Sequence, residues 1–190
     1  RAKDENILEL LVRFKQIRQA ARCFEYVMSA KPLLGDKGEI ARRSRLVSKL
    51  TKRQREEYAE IFELADVTQS GTISLLEMRR FMETAQYQRT DKELVEILQK
   101  ANPQYGYLGL SKSEFLGLMA EAEVYFLFTD IFQDLDKERT GYVRAGDLDE
   151  VLHGVRDLVG YERKSLIDVE DQDVQVDYEQ FTKMLLGASI

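Results

Sequence analysis

Between residues 66 and 77 the chain staggers its oxygen-bearing side chains: Asp66, Thr68, Ser70, Ser74 and Glu77, with Gly71 in the middle and Ile73 two places on. That spacing is the chemistry of a hard cation. An ion such as Ca²⁺ takes roughly six to eight oxygens at about 2.3–2.6 Å. A twelve-residue loop can supply them from its first, third, fifth, ninth and twelfth positions, with a backbone carbonyl from the seventh. Asp66, Thr68, Ser70, Ser74 and Glu77 fall on those side-chain positions, and Thr72 on the carbonyl position. Gly71 gives the backbone the freedom such a turn needs, and Glu77 is long enough to bind through both oxygens. Only Asp66 and Glu77 bring charge. Ligand charge tunes affinity, so the site is expected to be weak, on the order of micromolar or weaker.

A loop of this kind needs a helix on each side. Thr51 reads as an N-cap, followed by Tyr58, Ile61, Phe62 and Ala65 on one helical face. Beyond the loop, Met78, Phe81 and Met82 carry a second helix to about Ala85. The unit of apolar helix, polar loop and apolar helix then recurs, four times in all. The second copy runs from Leu94 to Met119, the third from Phe126 to Val155 and the fourth from about Arg163 to Leu185. One apolar residue marks the eighth position of each loop: Ile73, Leu110, Val143 and Val176.

The first loop and its three echoes resemble the EF-hand superfamily, and residues 51–187 look like a four-hand, calmodulin-like member. The resemblance implies an all-α fold of two EF-hand pairs, preceded here by a long amphipathic helix. It implies that eighth-position residues pair across a short β-bridge, hand one with hand two and hand three with hand four. Three segments follow: a basic helical leader over 1–50, an N-terminal lobe over 51–121 and a degenerate C-terminal lobe over 122–190. The joint lies near Glu121–Glu123, where no Gly or Pro interrupts a long helix.

By the same pattern the other loops are poorer. The second offers Pro103, Tyr105, Tyr107 and Ser111 before Glu114, with a one-residue insertion, and is expected to hold no calcium. The third sets Asp136, Glu138, Thr140, Tyr142 and Asp147 at ligand positions. Arg144 stands ninth, beside any metal, and Asp147 is short for the twelfth position, where Asp favours Mg²⁺. The fourth has Val169 at the first position, Val174 in place of Gly and Gln180 in place of Glu; Asp168, Asp171, Asp173 and Asp177 do not restore a ligand set. One Ca²⁺ is expected, at the first loop, with Mg²⁺ as the cation the third could take.

Residues 4–29 read as one helix. Ile7, Leu10, Phe14, Ile17, Ala21, Phe24 and Met28 recur at spacings of three and four, a heptad stripe. Ile7, Leu10, Phe14, Ile17, Phe24 and Met28 are the expected partner-binding face. A second basic stretch spans Asp36–Leu50, and its Arg42-Arg43-Ser44 is the kind of triplet a basophilic kinase reads. Residues 1–57 carry a net +7 and residues 58–190 a net −13, so leader and body can attract one another. A basic amphipathic helix followed by four hands is also the layout of the regulatory tail of calcium-dependent protein kinases, and of a channel with a cytosolic four-hand tail.

Catalysis is not expected. His153 is the single histidine, Cys23 the single cysteine, and no phosphate loop, CxxC pair or triad spacing appears. One cysteine excludes an internal disulfide framework and suits the cytosol or the cytosolic face of a membrane protein. The acidic body opposes nucleic acid. No apolar run reaches the ~18–20 residues of a membrane span, which leaves the membrane to a parent protein. Arg1 in place of Met points to a piece of a longer chain. The reading is a calcium-responsive regulatory module that changes its grip on an amphipathic helix, its own leader or a helix of the parent. The alternative is a calcium-independent scaffold of degenerate hands, dimerising through the leader stripe.

Overall fold

The computed structural model describes residues 7–29, 39–102, 108–159 and 173–182. The chain is mostly helical and divides into two compact units, Arg1–Glu123 and Val124–Ile190. The expected entering helix of the fourth hand, the side chain of Met28, and Pro103, Tyr105 and Tyr107 of the second loop lie outside the described residues, as do Asp168, Val169 and Asp171.

Unit 1 begins with α1 (Ile7–Ser29) and α2 (Glu39–Lys49). Helix α3 (Lys52–Ala65) starts where Thr51 accepts from the Gln54 backbone N–H and Gln54 reaches back to the Thr51 N–H, a reciprocal cap. The same device starts α4 (Leu75–Thr84) at Ser74 with Glu77, and α5 (Asp91–Ala101) at Thr90 with Glu93. Strands β1 (Thr72–Ile73) and β2 (Leu110–Ser111) are antiparallel, with Ile73 opposite Leu110. Helix α6 (Lys112–Leu135) is one continuous helix, and the division between units falls inside it.

The core of unit 1 joins the hand helices to the second half of α1. Ile61, Phe62, Ile73, Met78, Met82, Leu94, Ile97 and Phe115 are buried, and so are Ala20, Ala21, Cys23, Phe24 and Tyr26 of α1. The Phe24 ring meets Phe81 edge-on at 6.2 Å and Phe115 at 5.8 Å, and Phe115 meets Phe62 at 5.7 Å. Small Ala20 and Ala21 let α1 sit close to α3, α4 and α5, all of which it touches. Truncating an aromatic ring in such a place costs about 3–5 kcal/mol.

Helix α2 is fixed by one buried cation. Arg43 Nε donates to Glu121 at 2.6 Å, and Nη1 donates to the Lys100 and Ala101 carbonyls at the end of α5. Both ionic side chains are 8% exposed, so losing either partner would strand the other's charge, at a cost of about 3–5 kcal/mol. The approach needs Gly117: a Cβ there would stand 2.9 Å from the Arg43 Cβ.

Unit 2 holds the rest of α6, β3 (Tyr142–Arg144), α7 (Ala145–Val159), β4 (Gln175–Asp177) and a helical stretch over 178–182. Strands β3 and β4 are antiparallel, Val143 opposite Val176. Its core gathers Phe132, Val143, Leu148, Val176 and Phe181, and Phe132 meets Phe181 edge-on at 5.3 Å.

Candidate metal centre

The first loop is built by hydrogen bonds to its two carboxylates. Asp66 follows the last turn of α3. Its Oδ1 accepts from the Ser70 N–H at 2.9 Å and the Ser70 hydroxyl at 3.3 Å, and its Oδ2 from the Gly71 N–H at 2.8 Å. This closes the turn, with Gly71 at φ +85°, a conformation that suits glycine. The Ser70 hydroxyl shares its one proton between Asp66 and the Thr72 carbonyl, which lies nearer at 2.8 Å. The oxygens of the first, fifth and seventh positions are thus drawn together.

Glu77 closes the loop from the other side. Its Oε2 accepts from the Ser74 N–H at 2.9 Å and hydroxyl at 2.7 Å; its Oε1 accepts from the Thr68 N–H and hydroxyl, both at 2.9 Å. Asp66 and Glu77 are buried, at 6% and 4% exposure. Burial works to raise the Glu77 pKa, but the hydrogen bonds from Ser74 and Thr68 outweigh it and hold the carboxyl at about 2. The group is therefore an anion at any ordinary pH.

Asp66, Thr68, Ser70, Thr72, Ser74 and Glu77 are linked in two hydrogen-bonded groups within this one loop. The donor set is all oxygen, which fits a hard cation such as Ca²⁺ and not a thiolate or imidazole metal. Among the described residues no group of three or more Asp, Glu, His or Cys could hold a metal. The site would thus rest on two carboxylates. Glu77 could serve a cation only by exchanging contacts with Thr68 and Ser74.

The other loops diverge from this plan. In the second, Glu114 repeats the cap, accepting from the Ser111 N–H at 2.8 Å and hydroxyl at 2.7 Å, and its other oxygen accepts from the Asn102 amide. Asn102 was invisible to the sequence reading. The inserted residue puts it just ahead of the expected first position, and only a count from Glu114 back across a longer loop would have found it.

In the third, Asp136 repeats the Asp66 turn, accepting from the Thr140 N–H and hydroxyl and from the Gly141 N–H. The Thr140 hydroxyl shares its one proton between Asp136 at 2.9 Å and the Tyr142 carbonyl at 3.1 Å. Glu138 is exposed. Arg144 takes both oxygens of Asp147, Nη2 at 2.7 Å and Nε at 3.0 Å, with Asp173 at 4.0 Å from Nη1. The twelfth-position carboxylate expected to favour Mg²⁺ is already engaged by a guanidinium. In the fourth, Asp177 and Gln180 cap one another, the Gln180 amide oxygen accepting from the Asp177 N–H at 3.0 Å.

The expected partner-binding face of α1 is split. Phe24 is fully buried, Phe14 and Ile17 are half-buried, and Ile7 and Leu10 are 70% and 47% exposed. Beside Phe24 lies a polar group the sequence did not signal. Tyr58 donates to Glu123, and Gln19 donates to Glu123 at 3.0 Å. Cys23 sits with them. Burial first, then the Glu123 charge, pushes its thiol up to about 12, and burial likewise raises Tyr58. A thiol so placed is inert toward electrophiles.

No family model matches the sequence. Among curated proteins, the chain is similar to the probable calcium-binding protein CML13 of Oryza sativa subsp. japonica, with 22% identity over 72% of this chain and 84% of that protein. It is similar to the probable calcium-binding protein CML27 of Arabidopsis thaliana, with 27% identity over 71% of this chain and 81% of that protein. It also matches calcium-dependent protein kinase 7 of Arabidopsis thaliana, with 30% identity over 66% of this chain but 25% of the kinase. The match thus spans about a quarter of that kinase's length.

Proposed function

As a member of the EF-hand superfamily, this chain is, we propose, a calcium-responsive regulatory module whose first hand changes its hold on its own leader helix. The observation that carries this reading is the placement of Glu77 and Phe81 one turn apart on the ten-residue helix α4. Glu77 belongs to the candidate metal centre, and Phe81 meets the buried ring of Phe24. When bound, Ca²⁺ would supply positive charge among the oxygens of Asp66, Thr68, Ser70, Thr72, Ser74 and Glu77.

To serve there, Glu77 gives up hydrogen bonds from Thr68 and Ser74. Ser74 is the N-cap of α4, so its start is re-anchored when those bonds change. Met78, Phe81 and Met82 move with that helix, and Phe81 is one of the rings that Phe24 packs on, beside Phe115. The relatives' names support the calcium part of this reading, and the burial of Ala20, Cys23 and Phe24 supports the leader as the thing held. A cytosolic placement agrees with the single, buried cysteine. Kinase activity is not carried over, because the matched stretch is a quarter of the kinase.

The test has two readouts. Calorimetry on residues 1–190 should show one Ca²⁺ bound, and Glu77→Gln should weaken it by at least about tenfold. Cys23, the only thiol in the chain, reports the leader. Its labelling by a thiol reagent should be slow, and should accelerate severalfold with calcium in the wild type but not in Glu77→Gln. Absence of calcium heat sinks the sensor reading. Calcium heat with unchanged labelling sinks only the coupling to the leader.

For unit 2 a second reading is favoured by one observation. The Arg144 guanidinium already bridges Asp147 in the third loop. We propose that this unit is a calcium-independent scaffold.

A further inference from the structure

The first turns of α1 carry their apolar residues away from the body. Ile7, Leu8, Leu10, Leu11 and Val12 are between 47% and 70% exposed. Glu9, Arg13 and Gln16, with Leu8 and Val12 at the rim, line an open groove of about 370 Å³ against Glu60 of α3. The polar residues therefore face the body here, while Ile7 and Leu11 face outward. Two turns later the same helix buries Ala20, Cys23 and Phe24. At 3.6 residues per turn, Ile7, Leu11, Lys15, Arg18 and Arg22 share one side, opposite Ala20, Cys23 and Phe24. Lys15, Arg18 and Arg22 are exposed, and the Arg18 guanidinium lies 6.0 Å over the Phe14 ring. This outward side is apolar at its start and cationic over the next ~10 Å.

We propose that this side of α1 docks flat on an anionic lipid surface, independently of any calcium response. The apolar arc from Leu10 through Ile7 to Leu11 covers about 100° of the helix. A single partner helix meets a narrower seam, whereas an interfacial helix buries a broad face among headgroups and acyl chains. A second copy is opposed by charge. Parallel pairing sets Lys15, Arg18 and Arg22 against themselves, and antiparallel pairing sets them against Ile7 and Leu11. Anionic headgroups attract Lys15 and Arg18, and the acyl region takes the apolar arc. Helices α3, α4 and α5 contact α1, and beyond Arg22 the outward side is taken up by the body, where Arg89 holds Glu25 and Tyr26 is buried. Such docking assigns to the chain itself a membrane contact that its sequence left to a parent protein.

The probe is a pair of vesicles, pure phosphatidylcholine and phosphatidylcholine with about one third phosphatidylserine. Residues 1–190 should co-float with the anionic vesicles at least about tenfold more than with the neutral ones. Ile7→Ser with Leu11→Ser, and separately Lys15→Gln with Arg18→Gln, should each reduce that binding at least about fivefold. Both variants change exposed side chains, so thermal unfolding and Cys23 labelling should match wild type. No binding, equal binding to both vesicles, or full retention by either variant overturns the proposal. A dimer in sedimentation that Ile7→Ser with Leu11→Ser dissolves also overturns it, because the face would then be a contact between copies.

Discussion

The first and third loops begin alike and end differently. Asp66 and Asp136 make the same turn: each accepts from a hydroxyl residue four places on and from the glycine after it, at nearly the same distances. The loops part at the ninth position. Ser74 donates its N–H and hydroxyl to Glu77 and leaves that carboxylate a net anion. Arg144 clamps Asp147 with two charge-assisted bonds. The turn chemistry shapes a loop, while the ninth residue decides whether the twelfth carboxylate is still electrically available. The same turn thus accompanies two different fates of the twelfth carboxylate, one held by hydroxyl and amide donors and one paired with a guanidinium.

Exchanging the ninth residues should break this contrast. The largest effect is expected from Ser74→Arg, which gives the first loop the third loop's clamp. Calcium affinity at the first loop should fall by about two orders of magnitude, measured by calorimetry. Next is the reverse exchange: Arg144→Ser with Asp147→Glu should raise the binding stoichiometry by one weak site. If that double variant binds no further calcium, Arg144 is not what silences the third loop.

The smallest effect is on acid stability. The folded Glu77 pKa, about 2, lies below the ordinary 4.5. Its stabilising share is therefore complete above pH 4.5 and lost as pH falls toward 2. Urea midpoints of the wild type should decline across that window more steeply than those of Glu77→Gln. Parallel profiles would mean that the Thr68 and Ser74 bonds contribute nothing net.

Much of this was legible in the sequence because it is local. An Asp followed four and five places on by a hydroxyl residue and Gly defines its own turn. A Thr or Ser three places before Gln or Glu defines its own cap, as at Thr51 and Ser74. What was hidden depends on where a partner sits. The stripe from Ile7 to Met28 has one period throughout, yet the body covers only its later turns, so Phe24 is buried and Ile7 is not. Cys23 and Ala20 lie off the stripe and are buried all the same, because several helices surround α1 there. The Arg43–Glu121 pair joins residues 78 apart, and the attraction of a basic leader for an acidic body gives its sign but not its address. Arg89 with Glu25 runs the opposite way, a body cation holding a leader carboxylate.

Gly117 fixes more than a distance. With a Cβ there only 2.9 Å from Arg43, the two helices meet through a notch one methyl deep, and moving either helix by a residue would meet a side chain instead. Helix α2 is thereby held in one register against α6, with the Arg43 stem over the glycine and its guanidinium on Glu121 and the end of α5. A single hydrogen atom in place of a side chain thus sets where the second helix can sit.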